Sequence, residues 1–190
     1  MYHRFDEEKY PSTNIQLDIF KEQLNIIENQ GIRFIHPKNF KENLSKNKKE
    51  RKVLLTIDDG FMSFYKNAWP VLKEKKIPFI LFISTREVGV TNYMTWNQIR
   101  ELDKENFVEI GNHSHSHEYL VDENKDLITA DIEKSISILP RSSEILDHLG
   151  DCYLMLNRKN EAIFEWKKAI KYETDTDIIK YIEEKLKKYE

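Results

Sequence analysis

Val53-Leu54-Leu55-Thr56-Ile57-Asp58-Asp59-Gly60 decides how this chain is read. Its first five residues show no polar alternation, which predicts a strand covered on both faces in a parallel sheet. The run ends in two carboxylates and a glycine. A helix is expected over 64–76, interrupted by Pro70, and a second covered strand follows at Phe79-Ile80-Leu81-Phe82-Ile83. Phe107-Val108-Glu109-Ile110 reads as a third strand, ending at Gly111-Asn112-His113. Strands alternating with helices place the chain in the α/β class.

Outward from this centre, apolar residues recur at helical spacing from Ile15 to Gln30, and Gly31 stands where a left-handed cap belongs. Ile32-Arg33-Phe34-Ile35 is a short strand candidate stopped by Pro37, with a helical turn expected over 39–44 and a solvated basic loop over 46–52. Thr95-Trp96-Asn97-Gln98 matches a capping box for a helix through Leu102. Past Asp122 no strand-like run occurs, and helices are expected near 144–156, 161–171 and 177–189. The boundary falls at Pro140-Arg141-Ser142-Ser143, giving domains at 1–139 and 140–190.

Composition narrows the function classes. With 30 basic and 33 acidic residues the net charge is −3, which argues against a nucleic-acid or anionic-membrane partner. Cys152 is the only cysteine, excluding an intrachain disulfide and a cysteine-based zinc site. No apolar run reaches the length of a transmembrane segment, and the first residues lack the apolar core of a secretion signal. Read as written the protein is expected in the cytoplasm, or in the periplasm or at the cell surface if the N-terminus is incomplete.

In parallel α/β folds the loops past the carboxyl ends of the strands converge to form the site. Both unusual motifs fall there. Asp58 and Asp59 are adjacent and point different ways, so one can bind a metal while the other faces substrate. His113 and His117 lie four residues apart, close enough to serve one site. With Asp59 they make a two-histidine, one-carboxylate set with open positions for water and substrate. Alone, Asp-Asp-Gly is usually a turn and a His-rich pentapeptide a polar loop; their joint occurrence at strand ends points to a metal site. His115 is expected to turn elsewhere, and His36 and His148 to be surface or satisfied core residues.

These residues resemble the NodB-homology polysaccharide deacetylases, carbohydrate esterase family 4. Thr56-Ile57-Asp58-Asp59-Gly60 is similar to the family's first motif, Thr-Phe-Asp-Asp-Gly, and His113-Ser114-His115-Ser116-His117 fits its second, His-(Ser/Thr)-x-x-His. The likeness extends to the early helix, Trp69-Pro70-Val71-Leu72, 78–84 and Glu109-Ile110-Gly111-Asn112, spanning about 1–139. It implies a partial (β/α) barrel and a divalent metal, zinc foremost, held by Asp59, His113 and His117. It also implies that Asp58 acts as general base on metal-bound water to remove acetyl groups from an N-acetylated polysaccharide. Most members carry the acid histidine in a late Leu-x-His motif, which does not follow His117 here. A branch acting on poly-N-acetylglucosamine carries it in an early Tyr-His pair resembling Tyr2-His3, which makes His3 the candidate acid.

Beyond 139 the family's further strands and later motifs are replaced by helices. Leu149, Gly150, Tyr153, Ala162, Trp166 and Ala169 resemble the packing positions of one tetratricopeptide repeat, although a generic amphipathic hairpin has the same apolar spacing. A single repeat cannot bury its own face, so it is expected to dock on something: either it covers the open barrel edge or, the preferred reading, the chain is a fusion of two gene fragments, with the tail available to a protein partner. The leading expectation is a metal-dependent deacetylase; the alternative is an inactive scaffold with a relic metal site.

Overall fold

A computed structural model describes residues 1–40, 43, 50–139, 143–173 and 176–190. It divides into two compact units, Met1–Ile83 with Glu87–His113, and Ser84–Arg86 with Ser114–Glu190. Residues 41, 42 and 44 of the turn expected over 39–44, the basic loop's 46–49 and the Pro140-Arg141-Ser142 boundary lie outside the described residues.

The first unit is α/β. In chain order it contains β1 (Arg4–Phe5), β2 (Asn14–Ile15), α1 (Leu17–Asn29), β3 (Arg33–Phe34), β4 (Lys52–Val53), β5 (Leu55–Asp58), α2 (Trp69–Lys75), β6 (Phe79–Ile83), α3 (Trp96–Leu102) and β7 (Val108–Asn112). Strands β5, β6 and β7 form a parallel sheet in that order. Asp58 pairs with Phe82 and Ile83 with Asn112, so the strand ends are nearly level. That register brings the residues after β5 and β7 to the carboxyl end of the sheet. Two further parallel pairs, β1 with β2 and β3 with β4, are only two residues long on each strand.

The expected two-sided cover of the central strands is incomplete. Phe79, Leu81 and Ile83 are fully buried, whereas Ile80 and Phe82 are half-buried, so β6 alternates although its sequence does not. Phe64 and Trp69 meet Phe79 edge-on at 5.6 and 6.0 Å and seal the buried face. Each such apolar side chain taken from water stabilises the fold by about 1.5–3 kcal/mol.

Pro70 explains the local form of the helix before β6. It lacks the N–H that an uninterrupted helix would pair with Lys66, and its ring would press on that carbonyl. The chain instead opens into a π turn over Phe64–Ala68, with the Trp69 N–H donating to the Phe64 carbonyl, and then runs into α2. α1 ends as its sequence predicts, with Gln30 as cap and Gly31 following at φ +65°. The Thr95 capping box is formed, the Thr95 hydroxyl accepting from the Gln98 N–H while the Gln98 side chain accepts from the Thr95 N–H.

The N-terminal segment is the feature the sequence did not announce. The Tyr2 N–H donates to the Thr56 carbonyl at 3.0 Å and the Asp58 N–H to the Tyr2 carbonyl at 2.9 Å. These bonds lay residues 1–3 alongside β5.

The described part of the second unit is helical: α4 (Lys125–Ile138), α5 (Ser143–Met155), α6 (Lys159–Tyr172) and α7 (Thr176–Tyr189). Its core gathers Ile136, Leu146, Leu149, Tyr153, Ala162, Trp166, Ala169, Ile182 and Leu186. Trp166 is completely buried, and a Cβ on Gly150 would lie 2.4 Å from its ring nitrogen, so only glycine permits this approach. Lys185 bridges Asp147 and Asp151, each at 2.8 Å. Among the described residues no helix is long and apolar enough to cross a membrane.

Candidate active site

β5 delivers Asp58 as its last residue, and the chain then turns through two left-handed positions, Asp59 at φ +72° and Gly60 at φ +73°. For Asp59 this conformation costs roughly 1 kcal/mol or more. Bonds from the facing loop hold the turn: the Met94 N–H donates to the Gly60 carbonyl at 2.9 Å and the Met62 N–H to the Asn92 carbonyl at 2.7 Å. Both carboxylates are buried, at 6 % and 7 % exposure.

Asp58 has a buried Oδ1 without a hydrogen-bond partner among the described residues. Burial pushes its pKa up, while the His113 and His3 charges pull it back. His3 Nε2 lies 3.8 Å from Asp58 Oδ2, a placement set by the bonds of Tyr2 to β5. His113 continues the β7 pairing, its N–H donating to the Ile83 carbonyl at 2.9 Å, and its Nε2 lies 3.4 Å from Asp59 Oδ1.

The loop after His113 uses two more left-handed residues, Ser114 at φ +66° and His117 at φ +59°. The His117 N–H donates to Ser114 Oγ at 3.1 Å. Asp59, His113 and His117 each offer one ligand atom, and these atoms lie within 4.8 Å of one another. Two imidazole nitrogens and a carboxylate oxygen form a donor set suited to zinc and similar divalent ions, so the residues present fit the group.

His115 turns elsewhere. Its Nδ1 pairs with Thr85 Oγ1 at 2.8 Å, and its backbone N–H donates to Asp131 Oδ2 at 2.8 Å. The Ser116 N–H donates to Asp131 Oδ1 at 2.7 Å. Sequence reasoning missed Thr85 and Asp131: neither belongs to a motif, and 16 residues separate Asp131 from His115. His36 is a satisfied residue, its Nε2 paired with the Asn106 carbonyl and its Nδ1 accepting from the Lys38 N–H, and His148 is exposed. Tyr93 packs on Phe61 with ring centroids 4.7 Å apart, and Trp96 opens α3 half-exposed.

Two carboxylates stand at one strand end and histidines beyond another, where the loops of a parallel α/β sheet form a site. The family model for polysaccharide deacetylase matches residues 45–144, more than half of the chain. This chain therefore belongs to the polysaccharide deacetylase family. It is 29% identical over 123 residues to a poly-beta-1,6-N-acetyl-D-glucosamine N-deacetylase of Staphylococcus aureus, covering 62% of this chain and 42% of that protein. The Staphylococcus epidermidis protein of the same name is 28% identical over 130 residues, covering 61% and 45%. The chain thus spans less than half the length of these relatives. Among solved structures, IcaB from Ammonifex degensii superposes with a TM-score of 0.63 at 26% identity, covering 73% of this chain and 65% of that one. The Streptococcus pyogenes deacetylase PplD in complex with acetate gives a TM-score of 0.64 at 24% identity with the same coverages, a likeness of fold.

Proposed function

We propose that this chain is a metal-dependent hydrolase that removes N-acetyl groups from an amino-sugar polymer, with poly-N-acetylglucosamine as the substrate class. The observation that carries the reading is the convergence of His3, Asp58, Asp59 and His113 at the carboxyl end of the sheet, with His117 four residues beyond His113.

Asp59, His113 and His117 are the residues that would hold a divalent ion, zinc being the first choice for two imidazoles and a carboxylate. Such an ion supplies Lewis acidity toward the acetamide carbonyl and increases the acidity of water. Asp58 accepts the proton of the attacking water; burial, by raising its pKa, makes it a better proton acceptor. His3 donates a proton to the leaving nitrogen. One C–O bond forms and the C–N bond breaks, giving acetate and a free amino sugar. His3 near Asp58 supports the early-histidine arrangement in place of a late Leu-x-His motif.

Within this reading residues 1–139 form a deacetylase-like domain on a partial (β/α) barrel, and 140–190 a tetratricopeptide-like segment able to engage a protein partner. The close approach of Gly150 to Trp166, with Ala162 and Ala169 in the same core, supports that assignment.

Acetate release from β-1,6-linked N-acetylglucosamine oligomers tests the proposal. Zinc-loaded protein is expected to release acetate, and chelation to stop it until zinc is restored. Removing the base or the acid, in Asp58→Asn or His3→Ala, is expected to slow release by about 10²–10⁴-fold. Zinc-loaded protein without turnover, or variants as active as the parent, would overturn it.

A further inference from the structure

We propose that Asp131 is a positioning residue of the metal centre, one that grips the peptide between the two histidine ligands and thereby sets metal affinity. The inference rests on the assignment of His113 and His117 as ligands, and extends it to a residue outside both motifs.

The loop has a placement problem to solve. Its two imidazoles are four residues apart, and two non-glycine residues between and at its end, Ser114 and His117, adopt left-handed conformations. Short-range bonds tie it locally, His117 N–H to Ser114 Oγ at 3.1 Å and Glu118 N–H to Ser116 Oγ at 3.3 Å. Asp131 supplies the longer-range constraint. Its two carboxylate oxygens take the N–H groups of consecutive residues, His115 at 2.8 Å and Ser116 at 2.7 Å. A fork of this kind fixes both position and orientation of the peptide, and charge-assisted bonds to N–H groups are the stronger class.

A second set of contacts holds the same stretch. The Thr85 N–H donates to the Ser114 carbonyl at 3.2 Å and the Arg86 N–H to the His115 carbonyl at 3.0 Å. The His115 ring, turned away from the proposed ligands, is held by the buried hydroxyl of Thr85 at 2.8 Å. Asp131 thus holds the N–H groups of His115 and Ser116, and residues 85–86 hold the carbonyls of Ser114 and His115. Asp131 is itself half-buried on α4, a rigid support. Aspartate suits the task better than asparagine, which has one acceptor oxygen and would present an NH₂ to one of the two N–H groups.

The test is cobalt binding by the full chain, measured by visible absorption and competition with a chelator, for the parent, Asp131→Asn, Asp131→Ala and the exposed Asp126→Asn on the same helix. Loss of a residue that orients metal ligands typically costs about 10–100-fold in affinity. Asp131→Ala is expected in that range with an altered ligand-field spectrum, Asp131→Asn in between, and Asp126→Asn at the parent value. A folded Asp131→Ala protein, with parental far-ultraviolet circular dichroism, cobalt affinity and spectrum, would overturn the inference even if its unfolding midpoint fell. Should Asp131→Ala not fold, parental binding by Asp131→Asn overturns it equally. A parent protein that binds no cobalt removes the metal reading and this inference with it, whereas equal binding by parent and variants removes this inference alone.

Discussion

One residue step gives the two aspartates different surroundings. Asp58 still belongs to β5, while Asp59 has left the strand at positive φ, so adjacent carboxylates address different partners: Asp58 faces His3 and Asp59 faces His113. The turn depends on Gly60, where a Cβ would meet Ile83 Cδ1 at 2.7 Å in addition to the strain of φ +73°. Gly60→Ala is expected to lower stability by about 1–3 kcal/mol, read as a shift in the denaturant midpoint; an unchanged midpoint would mean that the turn relaxes freely. Of the three histidines in the loop, His113 and His117 are the proposed ligands, and His115 pairs with Thr85 instead. Zinc affinity should therefore fall at least about tenfold more in His117→Ala than in His115→Ala, and equal losses would contradict the assignment. These residues were legible in the sequence because both motifs end strands. His3 was legible only through family resemblance, since no local pattern reveals that Tyr2 would pair with β5. Asp131 was not legible at all, because its bonds to the His115 and Ser116 N–H groups join a helix to a distant loop.

Elements with a local cause were read well. The capping box at Thr95, the helix stop before Gly31 and the helices of the second unit all have local chemical signals, and the structure forms them within a few residues of the expected ends. What was not legible is context. An apolar run such as Phe79–Ile83 does not say how completely each face is covered, and two-residue strands such as β1 and β2 carry no periodicity to detect. In α5, Gly150 looks like a helix weakness, yet it is the space that Trp166 occupies. Gly150→Ala, ordinarily favourable within a helix, is expected to destabilise by about 1–3 kcal/mol through overpacking, and a raised melting temperature would contradict the packing described. Lys185 ties α7 to α5. Burial alone would lower its pKa, but the Asp147 and Asp151 carboxylates outweigh that and hold it above the ordinary lysine value. A raised folded value means that the contribution is complete below the unfolded pKa and disappears as pH rises through the folded one. Lys185→Met should cost roughly 1–3 kcal/mol at neutral pH, between the limits for exposed and buried pairs. The difference from the parent should shrink only in strongly alkaline solution; a difference that vanishes below pH of about 9 would contradict the ion pair, given the ordinary lysine value near 10.4.

At the scale of the whole chain, the sequence showed a change of texture after Asp122, and the structure follows it with helices through Tyr189 in the described residues. Family membership rests on residues 45–144, while the Staphylococcus relatives are matched over less than half of their length. The catalytic proposal therefore turns on whether this chain assembles a working metal centre. Binding to the native state alone stabilises it by mass action, so zinc at 100 times its dissociation constant should add about 2.7 kcal/mol to unfolding, lost again on chelation and in Asp59→Ala.

Calorimetric titration of the metal-free chain with zinc, in parallel with His113→Ala, tests the central claim most directly. The account predicts one tightly bound ion per chain in the parent and loss of that site in the variant. A parent that binds no zinc, or a His113→Ala protein that binds it as tightly, would contradict it.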